Sequence, residues 1–137
     1  MIYLNTDGGA RGNPGPSATG VIVSDLQNNV LHTTGTYLGV KTNNEAEYEA
    51  LIEGLNYILN NNLDLDVVCR LDSELVVKQL NGLYKVKNDR MALLHAAVMN
   101  LKTKFKSLKF THVLRSANKL ADLTVNKILD EQEKKLS

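Results

Sequence analysis

Four carboxylates in this chain stand where an acid is hard to place: Asp7, Glu47, Asp72 and Asp122. Asp7 closes the apolar stretch MIYLNT and opens the glycine- and proline-dense run DGGARGNPGP. Glu47 falls on the helical stripe of Leu51 and Leu55, not with Glu45, Glu49 and Glu53. Asp72 follows VVCRL, at the C-terminal end of a strand, where open α/β sheets place ligands. Asp122 lies in a helix beside Ala121, Val125, Ile128 and Leu129. Converging acids raise one another's pKa unless cations bind. Oxygen ligands without clustered His or Cys select Mg²⁺ or Mn²⁺ over Zn²⁺. Two such ions about 4 Å apart can clamp the attacking water and the leaving oxygen of a phosphodiester.

Each acid also has an ordinary reading. Asp7 can start a turn. Glu47 can answer a helix dipole, although that does not explain an acid on the apolar side. Asp72 can cap the next helix, a task open to Ser73 as well. Asp122 can be solvated or paired with Lys119 or Lys127.

The elements that must carry these residues follow from the pattern. Strands are expected at 2–7, 18–25 and 30–38, the last two joined by Gln27-Asn28-Asn29, as an antiparallel meander. Residues 43–61 show a helical stripe of Leu51, Leu55, Ile58 and Leu59, with Glu45, Glu49, Glu53, Asn56 and Asn60 on the wet face. A buried strand at 65–71, a short helix at 73–81, a helix at 89–106, a strand at 109–114 and a helix at 118–132 complete the chain. Later strands that alternate with helices pair in parallel inside the sheet. The expectation is an α/β fold with a five-stranded mixed sheet, three strands antiparallel and two parallel, and helices on both faces. Residues 1–137 read as one domain, with a frayed tail at 133–137.

Composition narrows the class. The 137 residues are 43% hydrophobic and 23% charged, as in a soluble globular domain. A single cysteine, Cys69, excludes an internal disulfide and suits a reducing cytosol, so the expected location is cytoplasmic. No apolar run approaches the roughly 18 residues of a membrane span, and no signal peptide precedes the first strand. Sixteen bases meet fifteen acids, and setting aside the four candidate ligands leaves a balance of +5. Lys85, Lys87 and Arg90 cluster, as do Lys102, Lys104, Lys106 and Lys109. Such runs are usually solvated faces, yet a nucleic acid duplex would favour them through counterion release.

TDGGARGNPGPSATGVIV, KTNNEAEYEALIEGL, LDSELVVKQLNGLYKVKN and ANKLADLTVN, in that order and spacing, together resemble ribonuclease H of type I over nearly the whole chain. The resemblance implies a metal-dependent endonuclease that cleaves the RNA strand of RNA–DNA hybrids and leaves 5′-phosphate and 3′-hydroxyl ends. It implies that Asp7, Glu47, Asp72 and Asp122 hold two Mg²⁺ ions, with Mn²⁺ as a substitute. Asp7 would bridge both ions, Asp122 would help hold the one that activates water, and Glu47 and Asp72 the one on the leaving-group side. It places hybrid contacts at Gly9, Arg11, Asn13, Asn43, Asn44 and Glu74, and a DNA-phosphate pocket at Thr42 and Asn44. Asn43 and Asn44 can equally be helix caps. The partner implied is a hybrid duplex, with no membrane and no obligate protein partner, so a monomer.

The sequence departs from the family in three places. LRSANK, residues 114–119, has no histidine where several relatives carry one, and Arg115 stands in that segment. Glu74 replaces a common glutamine and can accept but not donate. LYKVKND joins two helices where some members insert a basic handle. Weak, salt-sensitive hybrid binding is expected. His32, His95 and His112 read as structural. A Walker phosphate loop is rejected, since no Gly-Lys-Ser/Thr follows the glycines. A binding module without catalysis, or a transposase-like or resolvase-like nuclease, are the competing functions.

Overall fold

The computed structural model describes residues 1–136, and Ser137 lies outside the described residues. Six strands make one mixed sheet: β1 (Ile2–Ala10), β2 (Gly15–Ser24), β3 (Val30–Thr34), β4 (Tyr37–Lys41), β5 (Asp66–Leu71) and β6 (Ser107–His112). The path is β3-β2-β1-β5-β6, with β4 also pairing β2. β2 pairs antiparallel with β1, β3 and β4, whereas β5 runs parallel to both β1 and β6. Among the described residues four α-helices follow the sequence pattern, α1 (Asn43–Asn60), α2 (Glu74–Leu80), α3 (Asp89–Lys102) and α4 (Lys119–Leu136), with a 3-10 turn at Arg115–Ala117.

The sheet buries both faces. Leu4, Val21, Val23, Val67, Cys69 and Leu71 meet Leu51, Leu55 and Ile58 of α1 and Val98 of α3 in the larger core. Ala18 meets Val125 and Leu129 of α4 in a smaller one, with Tyr37 and Ile128 packed against it. The expected mixed α/β fold with helices on both faces is therefore present.

Several boundaries differ from the expectation, each for a local reason. The strand expected at 30–38 is two strands, broken at Gly35-Thr36. There Thr19 N–H donates to the Thr36 carbonyl, and Thr36 N–H donates to Thr19 Oγ1. The first strand does not stop at Asp7 but runs to Ala10, because β2 supplies partners down to Ala10↔Ser17. Glu45 is not on a wet face. It is buried in a capping box with Thr42, Glu45 N–H to Thr42 Oγ1 at 3.2 Å and Thr42 N–H to Glu45 Oε1 at 3.1 Å. Glu53 is likewise engaged, accepting from Thr19 Oγ1 at 2.8 Å. α3 ends at Lys102, short of 106. The tail expected to fray is helical as far as Leu136.

Candidate active site

Sheet topology makes the site. β1 and β5 pair in parallel only as far as Thr6↔Leu71, and beyond that pair the two strands part. Asp7 and Asp72 are the next residue on each side of this fork. Because β1 continues along β2, Asp7 stays buried in a strand instead of loosening into a turn. Asp72 does not cap α2, since Ser73 Oγ accepts the Val76 N–H and performs that task.

Two glycines on opposite faces of the sheet let the helices close on the fork. A Cβ on Gly8 would lie 2.1 Å from the carbonyl carbon of Ala46, so only glycine admits α1 at this depth. A Cβ on Gly20 would lie 2.2 Å from the Ala121 oxygen, so the same holds for α4 on the other face. Gly8 thus serves helix packing. Glu47 follows Ala46, and Asp122 follows Ala121, so each close approach delivers a carboxylate. Asp122 stands in the first turn of α4 rather than deep within it.

Asp7, Glu47 and Asp72 each offer an oxygen within 4.8 Å of the others. Asp7 is 7% and Glu47 6% exposed. Asp122 is not part of that cluster but lines the same cavity, about 380 Å³, together with Gly9, Arg11, Asn43, Asn44 and Arg115. Its Oδ1 is 3.3 Å from Arg115 Nη2, and Asn126 Nδ2 donates to it at 3.4 Å.

Burial first, then repulsion from Asp72 and Asp122, pushes the Asp7 carboxyl up to about 6, against a hydrogen bond from Glu47 that acts to lower it. Burial, then the hydrogen bond to Asp7, pushes Glu47 well above the usual carboxylate range. The directions agree if Glu47 carries the proton and donates it to Asp7. Glu47 Oε1 accepts the Gly8 N–H at 3.2 Å, while among the described residues no group donates to its buried Oε2. An oxygen so placed must keep a proton or meet a cation. An all-carboxylate donor set of this kind fits a hard divalent ion.

The remaining expected contacts are spread more widely. Asn43 does not cap α1, since Thr42 does. Its Oδ1 instead accepts from Ala10 N at 2.8 Å, and its own N–H donates to Asn13 Oδ1 at 3.0 Å. Asn13 and Asn43 therefore stitch the glycine loop to α1. Thr42 borders a separate cavity with Asn88, Asp89 and Arg90. Glu74 is paired with Lys78 at 2.6 Å. Arg11 lines the carboxylate cavity but its guanidinium is held by Asp130 and Glu133 of α4, each at 2.7 Å.

No histidine lines the cavity among the described residues. His32 stacks on Tyr57 with ring centroids 3.8 Å apart, and His95 Nε2 lies 3.2 Å from the Gln79 carbonyl. Sequence reasoning missed Asn118, Asn126 and the pairing of Arg115. Asn118 carries no local signal, because its side-chain partners Asn5, Thr6 and Asp72 are distant in sequence.

The reverse transcriptase-like family profile matches residues 5–128. The chain is 37% identical to ribonuclease HI of Halobacterium salinarum over 130 residues, 95% of this chain and 65% of that protein. It is 34% identical to a bifunctional protein of Mycobacterium tuberculosis over 94% of this chain and 35% of that one. The chain thus spans less than two thirds of these relatives. Among solved structures, LC11-RNase H1 in complex with an RNA/DNA hybrid superposes with a TM-score of 0.92 and 42% identity, covering both chains fully. The H. salinarum RNase H1 crystal structure gives 0.91 and 35%, over 95% of this chain and 98% of that one.

Proposed function

This chain belongs to the type I ribonuclease H family, and on that premise we propose that it is an endonuclease hydrolysing the RNA strand of RNA–DNA hybrids. The observation that carries the reading is the cluster of Asp7, Glu47 and Asp72 at the strand fork, with the buried Glu47 Oε2 lacking a donor among the described residues. Residues 1–137 act as one catalytic domain, a cytoplasmic monomer.

Asp7, Glu47, Asp72 and Asp122 would hold two Mg²⁺ ions, with Mn²⁺ able to replace them. Bound there, the ions supply positive charge to the phosphodiester and lower the pKa of water. The chain's own part is placement. Asp7, fixed in a strand, sets the depth of the site. Glu47 gives up its proton as cations bind. Arg115 restrains Asp122 from the solvent side. Cleavage leaves a 5′-phosphate and a 3′-hydroxyl.

Recognition uses the rim. Asn44 offers both a donor and an acceptor to a 2′-hydroxyl, the group that separates RNA from DNA. Gly9 brings backbone close to the same strand. Lys85, Lys87 and Arg90 are exposed and favour the duplex through counterion release.

The test is incubation of the protein with labelled RNA–DNA hybrid, duplex DNA and duplex RNA, with Mg²⁺ or with chelator. Cleavage of hybrid alone, abolished by chelator, is expected. Cleavage of duplex DNA without cleavage of hybrid rejects the proposal.

A further inference from the structure

Asn118 is 2% exposed and sits where three elements meet. Its Nδ2 donates to the Thr6 carbonyl at 2.9 Å and to Asp72 Oδ2 at 3.4 Å. Its Oδ1 accepts from Asn5 Nδ2 at 3.0 Å. Its own carbonyl accepts the Asp122 N–H at 3.1 Å. One residue thus touches the strand residue before Asp7, the side chain of Asp72 and the backbone of Asp122.

The orientation of this amide is forced. Turned over, it would set Oδ1 against the Thr6 carbonyl and the Asp72 carboxylate, and Nδ2 against a donor. The Thr6 carbonyl needs this partner because Thr6↔Leu71 is the last pair between β1 and β5. Asn118 therefore supplies a hydrogen bond where the sheet stops providing one. It also gives Asp72, which lines the cavity, a fixed neighbour on Oδ2.

We propose that Asn118 is a positioning residue for the carboxylate cluster, setting the Asp72 carboxylate and the separation of Asp7 from Asp122. The proposal rests on the metal-dependent reading above. Outer groups that orient metal ligands typically govern about 10- to 100-fold in metal affinity or activity. A structural role alone would lower stability and leave metal binding intact in the folded fraction.

The experiment compares wild type, Asn118→Ala and Val98→Ala. Val98 is fully buried in α3, away from the cavity, and serves as a destabilised control. Mn²⁺ is titrated into each protein by calorimetry without nucleic acid, well below the melting temperature. Hybrid cleavage is then measured at saturating Mn²⁺. Asn118→Ala is expected to weaken Mn²⁺ binding about tenfold and lower kcat by a similar factor, with KM for hybrid within about twofold of wild type. Val98→Ala is expected to lose melting temperature only. Mn²⁺ affinity and kcat of Asn118→Ala within about twofold of wild type overturn the proposal, as does an equal loss in Val98→Ala.

Should Asn118→Ala fail to fold, Asn5→Ala removes only the donor that orients the amide. It is expected to shift Mn²⁺ affinity in the same direction by a smaller factor, and an unchanged affinity there is equally fatal. If wild type fails to cleave hybrid, the substrate reading falls, while the Mn²⁺ comparison still decides the role of Asn118.

Discussion

The backbone N–H of Gly8 donates to Glu47 Oε1 at 3.2 Å, across a gap that no side chain on Gly8 could share. A Cβ there would sit 2.1 Å from the Ala46 backbone, so α1 must shift to admit it. Gly8→Ala is therefore expected to destabilise the fold by about 3 kcal/mol and to displace Glu47. Urea unfolding measures the first and Mn²⁺ affinity the second. A variant as stable as wild type would mean that the contact between β1 and α1 is looser than described.

The raised carboxyls give stability a pH dependence of known sign. The folded protein holds protons on Asp7 and Glu47 that the unfolded chain releases near the ordinary carboxylate values. Stability in chelator is then full below about 4 and falls as pH rises through about 6, by roughly 2–3 kcal/mol from Asp7 alone. Mg²⁺ or Mn²⁺ at pH 8 restores it. Asp7→Asn removes one charge, so it is expected to be more stable than wild type at pH 8 in chelator, yet to lose hybrid cleavage on the order of 10³-fold or more. Urea midpoints at pH 5 and pH 8, with and without ion, test both statements. A wild-type midpoint in chelator that climbs from pH 5 to pH 8 would contradict them.

Glu74 lies at the start of α2, just after Asp72, and its partner Lys78 is also bonded to the Tyr84 hydroxyl. The ion pair is exposed and contributes little to stability. Glu74→Gln removes an anion near the duplex path and adds a donor. KM for hybrid should fall about two- to fivefold, with the melting temperature unchanged. An unchanged or higher KM would show that the duplex passes elsewhere.

Arg11 is the one cation of the glycine-rich loop, and Asp130 and Glu133 occupy it. Asp130→Asn with Glu133→Gln frees the guanidinium for phosphate. Hybrid affinity should rise about threefold, and its slope against log salt should steepen by about one contact. If affinity and slope stay fixed, Arg11 is a strut between the loop and α4 and nothing more.

Much of this was legible in the residues, because burial and charge conflict visibly at single positions. Glu47 on the Leu51–Leu55 stripe announced its burial, and Asp72 after the run VVCRL fell at a strand end. Periodicity located α1, through the stripe of Leu51, Leu55 and Ile58. What it could not supply was the length of β1, since glycines that suggest a loop are here accommodated by β2 on one side and α1 on the other. Nor could it assign Asn118, whose partners Asn5, Thr6 and Asp72 are distant in sequence. Asn43 misled for the opposite reason: a plausible cap was displaced by the better one next to it, Thr42 with Glu45.

Asp122 rides on α4, which is fastened by the lesser core of Ala18, Val125 and Leu129, while Glu47 rides on α1, whose Leu51, Leu55 and Ile58 belong to the greater one. Elements with less buried apolar contact open first on warming. The earliest partial melting would lift the last helix, carrying off one acid and the grip on Arg11 together. Such a protein falls silent while most of its body is still standing.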